Sequence, residues 1–148
     1  MASNAPAVKA ALKALLTSAF AADPAVGVSY GHPGPDPRDD LIAVMGVTGE
    51  QEPGPMRPNP LREERLRATV IVSCFVGGGP EAQQPATDRA YALLAAIETA
   101  VRGDIALGGL VRRADLVEHE LVEDESEPPA TPGRIAEISA VIATEARV

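Results

Sequence analysis

The side chains able to do chemistry are few, and each group must be asked whether its spacing permits a reaction. Glu118-His119-Glu120, followed by Glu123, Asp124, Glu125 and Glu127, places one imidazole among carboxylates, the donor types of a divalent-metal or acid–base site. In an extended strand, however, residues 118 and 120 share a face while 119 points the other way, so a His-plus-two-carboxylate site would require the strand to break there. The run reads as a solvated strand end. His32 stands in the turn His32-Pro33-Gly34-Pro35-Asp36-Pro37, far in sequence from any Ser or Cys on a nucleophile elbow, so no triad is argued. Gly77-Gly78-Gly79 lies between a strand and a helix, where a phosphate-binding turn would be. It lacks G-x-G-x-x-G and a Walker lysine, and Pro80 and Pro85 separate the glycines from the helix start that would face a phosphate. Cys74 sits among apolar residues with no basic neighbour and reads as a small buried hydrophobe. No catalytic, cofactor or metal residue is assigned. The alternative, a small ligand-binding or enzymatic α+β domain, would use the surface near His32 and His119.

The elements that must position these groups are legible from periodicity. The organising stretch is 82–111, a helix in which Ala90, Leu93, Leu94, Ile97 and Val101 form one apolar stripe that a sheet must cover. Thr87 or Gln84 is placed to cap its start, Asp88 lies in its first turn, and Glu98 precedes Arg102 in the favourable i, i+4 order. Gly103 is expected to end the helix in the left-handed conformation, with Ile105 and Leu107 returning to the core before Gly108-Gly109 turns the chain. A first helix is expected over 5–21, with Val8, Leu12, Leu15, Leu16 and Phe20 inward and Ser3 or Asn4 as cap. Strands follow at 26–30 and 40–48, the second apolar on both parities, which suggests cover on both sides or burial by another chain.

A long Pro/Gly-rich arm occupies about 49–62 and offers no core. The strand 63–76 puts Leu66, Ala68, Val70, Val72, Cys74 and Val76 on one face and Glu63, Arg65, Arg67, Thr69 and Ser73 on the other. Residues 110–124 are strand-like but change parity, which a bulge near Leu116 would explain, and 134–148 form a last strand with Ala136, Ile138, Ala140, Ile142 and Ala146 inward. The order α, three strands, α, two strands predicts a single α+β domain over 1–148, with a mostly antiparallel, mixed sheet of about five strands and two helices packed on it.

Bulk properties narrow the function classes. With 45% hydrophobic residues, two Phe, two Tyr and no Trp, the core must be aliphatic. A net charge of −8 argues against gripping phosphates on nucleic acid and against an anionic membrane surface. One cysteine makes no internal disulfide, and no apolar run approaches the roughly 20 residues that span a bilayer, so the chain reads as cytoplasmic and soluble. The positive charge of Arg57, Arg62, Arg65, Arg67, Arg112 and Arg113 either balances neighbouring carboxylates or meets acidic residues on another subunit.

The layout as a whole resembles a known family. A first helix, a strand ending in Tyr30-Gly31-His32-Pro33-Gly34-Pro35, a second strand, an arm, a long strand ending in glycines, and a helix leaving through Asp104-Ile105-Ala106-Leu107-Gly108-Gly109 are together similar to the tail terminator, or tail completion, proteins of long-tailed bacteriophages. The resemblance spans nearly the whole chain, and the helix with its D-x-x-L-G-G exit is its sharpest part. It implies a structural protein with no catalytic site and no cofactor. It further implies a homo-oligomeric ring, a hexamer, on the last ring of the major tail tube protein, which stops polymerisation and then binds the head–tail connector or stopper. DNA would pass through the lumen without specific binding. Met56, Arg57, Leu61, Arg62, Arg112 and Arg113 are the candidate subunit or tube interface under this reading. Another head–tail joining or minor tail protein would share the same layout.

Overall fold

A computed structural model describes residues 3–52, 62–128 and 130–148. Its elements are α1 (Ala5–Ala19), β1 (Val26–Tyr30), β2 (Asp40–Glu52), β3 (Glu63–Gly77), α2 (Gln83–Gly103), β4 (Arg113–Glu125) and β5 (Gly133–Arg147), with a short 3-10 turn over Pro80–Ala82 leading into α2. The strands form one sheet in the order β1-β2-β3-β5-β4. Only β1 and β2 run parallel; β2–β3, β3–β5 and β5–β4 are antiparallel. The α+β class, with a mixed sheet and two packed helices, agrees with the sequence expectation.

Alternation decides which face is covered. Leu66, Ala68, Val70, Val72 and Cys74 of β3 and Ala136, Ile138, Ala140 and Ile142 of β5 are buried, and they share one cluster with Val8, Leu12 and Leu16 of α1 and Ala90, Leu94, Ile97 and Val101 of α2. Both helices therefore lie on one side of the sheet. Each large aliphatic side chain taken from water there contributes about 1.5–3 kcal/mol, so this layer holds the domain together. The expected apolar stripe of α2 is buried in full, and Glu98 pairs with Arg102 at 2.5 Å.

Several local expectations are corrected. Gly103 is not left-handed; it is the last residue of α2, and the left-handed turn is made by Leu107, Gly108 and Gly109 at φ of 47°, 71° and 89°. Leucine tolerates that conformation because its side chain is buried, and Asp104 ties the turn by accepting from the Gly108 amide. Ile105, expected in the core, is 49% exposed. Neither N-cap residue, Asn4 or Ala82, caps its helix with its own side chain. The residue before α2 is Ala82, and Thr87 donates instead to Glu123 Oε2 on β4. The first helix ends at Ala19; Asn4 makes no side-chain cap, but Ser3 Oγ accepts from the Ala5 amide at 3.1 Å, and a carboxylate from β3 also serves the helix start, as described below.

The second strand is covered on one face only. Part of its double parity has a local cause: the register with β3 slips between Val44 and Val47, so both point to the helices, while Leu41, Ala43 and Met45 stand on the opposite face and line a hollow there. β2 also continues past Thr48 to Glu52; residues 53–61, the rest of the expected arm, lie outside the described residues. The last hairpin behaves as its parity suggested, with a register shift between Leu116 and Glu118, although β4 begins only at Arg113.

Candidate functional site

The feature that sets this domain apart is the bare face of its sheet. Odd-numbered positions of β3 and β5 face away from the helices, and the pairing arranges them in rows. At the end nearest the arm stand Glu52, Glu63 and Arg147, then Glu50, Arg65, Glu145 and Arg113. Thr48, Arg67, Ala143 and Asp115 follow. The opposite half carries Ala43, Ile71, Ser139 and Glu120, then Leu41, Ser73, Glu137 and Val122. Its floor is made of small or aliphatic side chains, and its rims are acidic.

Charge on the arm half is largely paired. Arg65 meets Glu52 at 2.8 Å and Glu145 at 3.7 Å, and Arg67 meets Glu118 at 3.1 Å. Glu63 is held by Arg112 and by Arg147, the latter at 2.8 Å. The Arg147 hydrogen bond, with Arg112 and Arg65 adding their fields, keeps the Glu63 carboxyl below the usual range. Such half-exposed pairs add little to stability, so their main effect is the pattern of charge a partner would meet.

Three shallow hollows open on this face. One of 410 Å3 lies over Thr48, Glu50, Arg65, Arg67 and Glu145. Another of 310 Å3 is lined by His32, Pro33, Leu41, Ala43, Met45, Ile71, Ser73 and Glu137. The third, 460 Å3, is lined by Thr69, Glu118, His119, Glu120, Ser139 and Val141, with the His119 ring itself packed against Tyr91. In none of them does a hydrogen bond join a nucleophile to a base among the described residues. Among the described residues no group of three His, Cys, Asp or Glu side chains is placed to hold a metal ion.

The residues singled out from sequence fall as follows. Arg62 and Arg112 come together around the arm end: the Arg62 amide donates to the Val148 carbonyl at 2.9 Å, and the Arg112 guanidinium pairs with Glu63. Arg113 pairs with Asp115. Met56, Arg57 and Leu61 lie outside the described residues. His32 and His119 are not brought together, because one follows β1 and the other is in β4, the two outer strands, whose axes lie roughly 19 Å apart. His119 turns to the helix side and packs edge-on against Tyr91, ring centroids 5.5 Å apart. The Gly77-Gly78-Gly79 turn is occupied by its own chain: Glu81 accepts from the Gly79 amide at 2.9 Å, leaving an anion no welcome there.

Two polar groups that tie the helices to the sheet were not assigned from sequence. Glu64 is 2% exposed and accepts from the Asn4 amide and from Gln51 Nε2, both at 2.8 Å. It is thus the cap of α1, supplied from a strand. Its only sequence signal is parity, since it shares a face with Leu66 and Ala68. At the other end of the sheet, Arg89 of α2 donates to the Phe75 carbonyl at 2.7 Å and lies 2.6 Å from Asp40 Oδ1. Against the cost of burial, the Asp40 carboxylate beside it raises the Arg89 pKa, so the pair stays charged. Burial and the neighbouring Asp40 push the Cys74 thiol up to about 12. These groups lock helices to sheet and present nothing reactive to solvent.

Both sheet edges are blunted. β1 has five residues and runs into Gly31 and three prolines. β4 is bulged and carries Glu118, Glu120, Glu123, Asp124 and Glu125. Charge, bulges and brevity are the devices that stop strands adding to an edge. No helix among the described residues is long and apolar enough to cross a membrane.

No family model matches the chain, and no curated protein matches it. Among solved structures, a chain from the virion of a native gene transfer agent particle is similar in path, at 10% identity and a TM-score of 0.41, with 100% of each chain covered. A likeness of that order fixes neither fold nor role.

Proposed function

We propose that the chain is a structural subunit of a phage-type virion, a tail terminator that assembles as a hexameric ring on the head-proximal end of the tail tube, stops its growth and presents a surface for joining the head. On this reading it is not an enzyme and carries no cofactor; its partners are copies of itself, the major tail tube protein and the connector or stopper. The observation that carries the proposal is the uncovered sheet face. An apolar floor with ordered, charged rims, on a sheet whose edges refuse further strands, is what a subunit built to be packed against would present. The sequence layout described above supports the same reading. So does the acidic excess, which suits a lumen through which DNA passes without sticking. Under it the described members of the candidate interface, Arg62, Arg112 and Arg113, lie at the arm end and face a neighbouring subunit or the tube.

Light scattering on the purified chain, alone and mixed with tail tube protein, tests the proposal. Rings alone, and capping of tube ends seen by electron microscopy, are expected. A protein that stays monomeric and never joins tubes would refute it.

A further inference from the structure

We infer that the half of the uncovered face around Glu120 and Glu137 is the seat for helix α1 of a second copy of this chain, an interface between unlike surfaces that repeats head to tail. The inference rests on the ring reading and says which surfaces would make the ring.

Other modes of self-association meet electrostatic obstacles. If two β4 edges paired about a common axis at His119, Glu118 of one copy would lie opposite Glu120 of the other, and like charges directly opposed are destabilising. Two uncovered faces laid together about an axis along the strands would likewise bring acidic halves into contact. On the half in question Glu120 and Glu137 are exposed, and neither has an ion-pair partner among the described residues. The rows there contain no basic side chain.

The complementary surface is elsewhere on the same molecule. Lys9 and Lys13, the sole lysines of the sequence, both lie on α1, one turn apart, and α1 contains no acidic residue. Neither lysine is in an ion pair among the described residues; Lys9 Nζ sits 4.0 Å above the ring of Tyr30, itself 53% exposed. Ala7, Ala10 and Ala14 are exposed beside them, so the backbone of α1 can come close to a flat surface. The spacings agree. Four residues of helix separate the lysines by about 6 Å. Glu120 lies opposite Ser139, two residues from Glu137 on the next strand, which puts the two carboxylate-bearing backbones about 8 Å apart. Each carboxylate stands on the rim of a hollow, of 310 Å3 for Glu137 and 460 Å3 for Glu120, that would receive side chains from the seated surface.

The area sets how such an interface behaves. Strands of 15 residues, four abreast, span roughly 50 by 19 Å, so half the face offers on the order of 450 Å2. That is small for an isolated pair, for which roughly 800 Å2 per partner is usual. Association should therefore depend on concentration until a closed ring uses every surface twice.

Two charge-reversed proteins test the inference, Lys9→Glu/Lys13→Glu and Glu120→Lys/Glu137→Lys, with circular dichroism confirming that each is folded. Mass is followed by light scattering against concentration. The wild type should form oligomers, and each variant alone should need at least about tenfold more protein to do so. An equimolar mixture should regain wild-type mass, because every α1 then meets a face of opposite sign. Variants that associate like the wild type, or a mixture that stays dissociated, overturn the inference while leaving the ring reading intact; in the first case the face is left for a different protein. A wild type that is monomeric at every concentration overturns the inference, and the ring reading falls with it if that protein also fails to join tubes.

Discussion

Replacing Glu64 by alanine tests how the two ends of the fold are joined. Its carboxylate is the shared acceptor for the Asn4 amide at the start of α1 and for Gln51 on β2, both at 2.8 Å, while Asn4 Nδ2 continues the chain of contacts to the Leu110 carbonyl at 3.2 Å. Hydrogen bonds to a charged group contribute roughly 1.5–3 kcal/mol each, and part of that is returned because the variant no longer desolvates a charge. We expect a net loss of about 2–4 kcal/mol for Glu64→Ala and about half as much for Glu64→Gln, whose amide oxygen keeps one acceptor in place. The pH dependence separates this account from simple loss of packing. Burial pushes the Glu64 carboxyl up, but the hydrogen bonds from Gln51, Ser3 and the Asn4 amide outweigh it, so its pKa is lowered on folding. A carboxyl of that kind stabilises fully above its unfolded value of about 4.3, and the benefit is lost as pH falls through the folded value. Urea unfolding followed by circular dichroism, at pH 7 and in steps below pH 4.5, measures both effects. The gap between wild type and Glu64→Gln should narrow on acidification. A Glu64→Ala change below about 0.5 kcal/mol, or a gap that widens in acid, would refute the reasoning.

Two further outcomes follow from the core. Cys74 is 0% exposed and its thiol is pushed up to about 12, so at pH 8 the native protein should resist maleimide and Ellman's reagent and react only on unfolding; stoichiometric labelling within minutes in native buffer would contradict the burial. Gly133 is covered by the ring of Phe75, and a Cβ there would collide with that ring and come within 2.7 Å of the Val76 carbonyl. Gly133→Ala should cost about 1–3 kcal/mol, read as a lower Tm by calorimetry, and adding Phe75→Ala should cost less than the sum of the single changes.

What was legible in the sequence was what repeats locally. The stripe of α2, the alternation of β3 and β5, and the slip near Leu116 all come from residues within a few positions of one another, and the bare face was implied by Arg65, Arg67, Thr69 and Ser73 sharing one parity. What was missed depends on partners far along the chain. Glu64 looks like one more charge in a charged stretch until Asn4, sixty residues away, is laid against it. Leu107 in a left-handed conformation contradicts its own preference, and it is held there by a turn hydrogen-bonded to Asp104 and Ala106 and by the burial of its side chain in the tertiary structure. The double parity of β2 suggested cover on both sides or burial by another chain; the slip in register accounts for Val44 and Val47 sharing a face, and Leu41, Ala43 and Met45 are left on the side the helices do not cover. For the candidate interface, arginine composition pointed to the arm end, but the acidic half of the face and the lysines of α1 could be compared only once strand order was known.

That strand order has a temporal side. β5 lies between β3 and β4, although it follows both in the chain, so β4 finds no neighbour until synthesis has passed Gly133, and its pairing is complete only at Glu145. A nascent polypeptide can close β2 on β3 early, but β3 then waits with an unsatisfied edge for more than fifty residues, and distant pairings of that kind form slowly. During that interval the apolar stripe of α2 is the available cover for β3. Completion of the sheet is therefore a late, all-or-none event, and a chain arrested before β5 would expose the surfaces most prone to sticking to other unfinished copies.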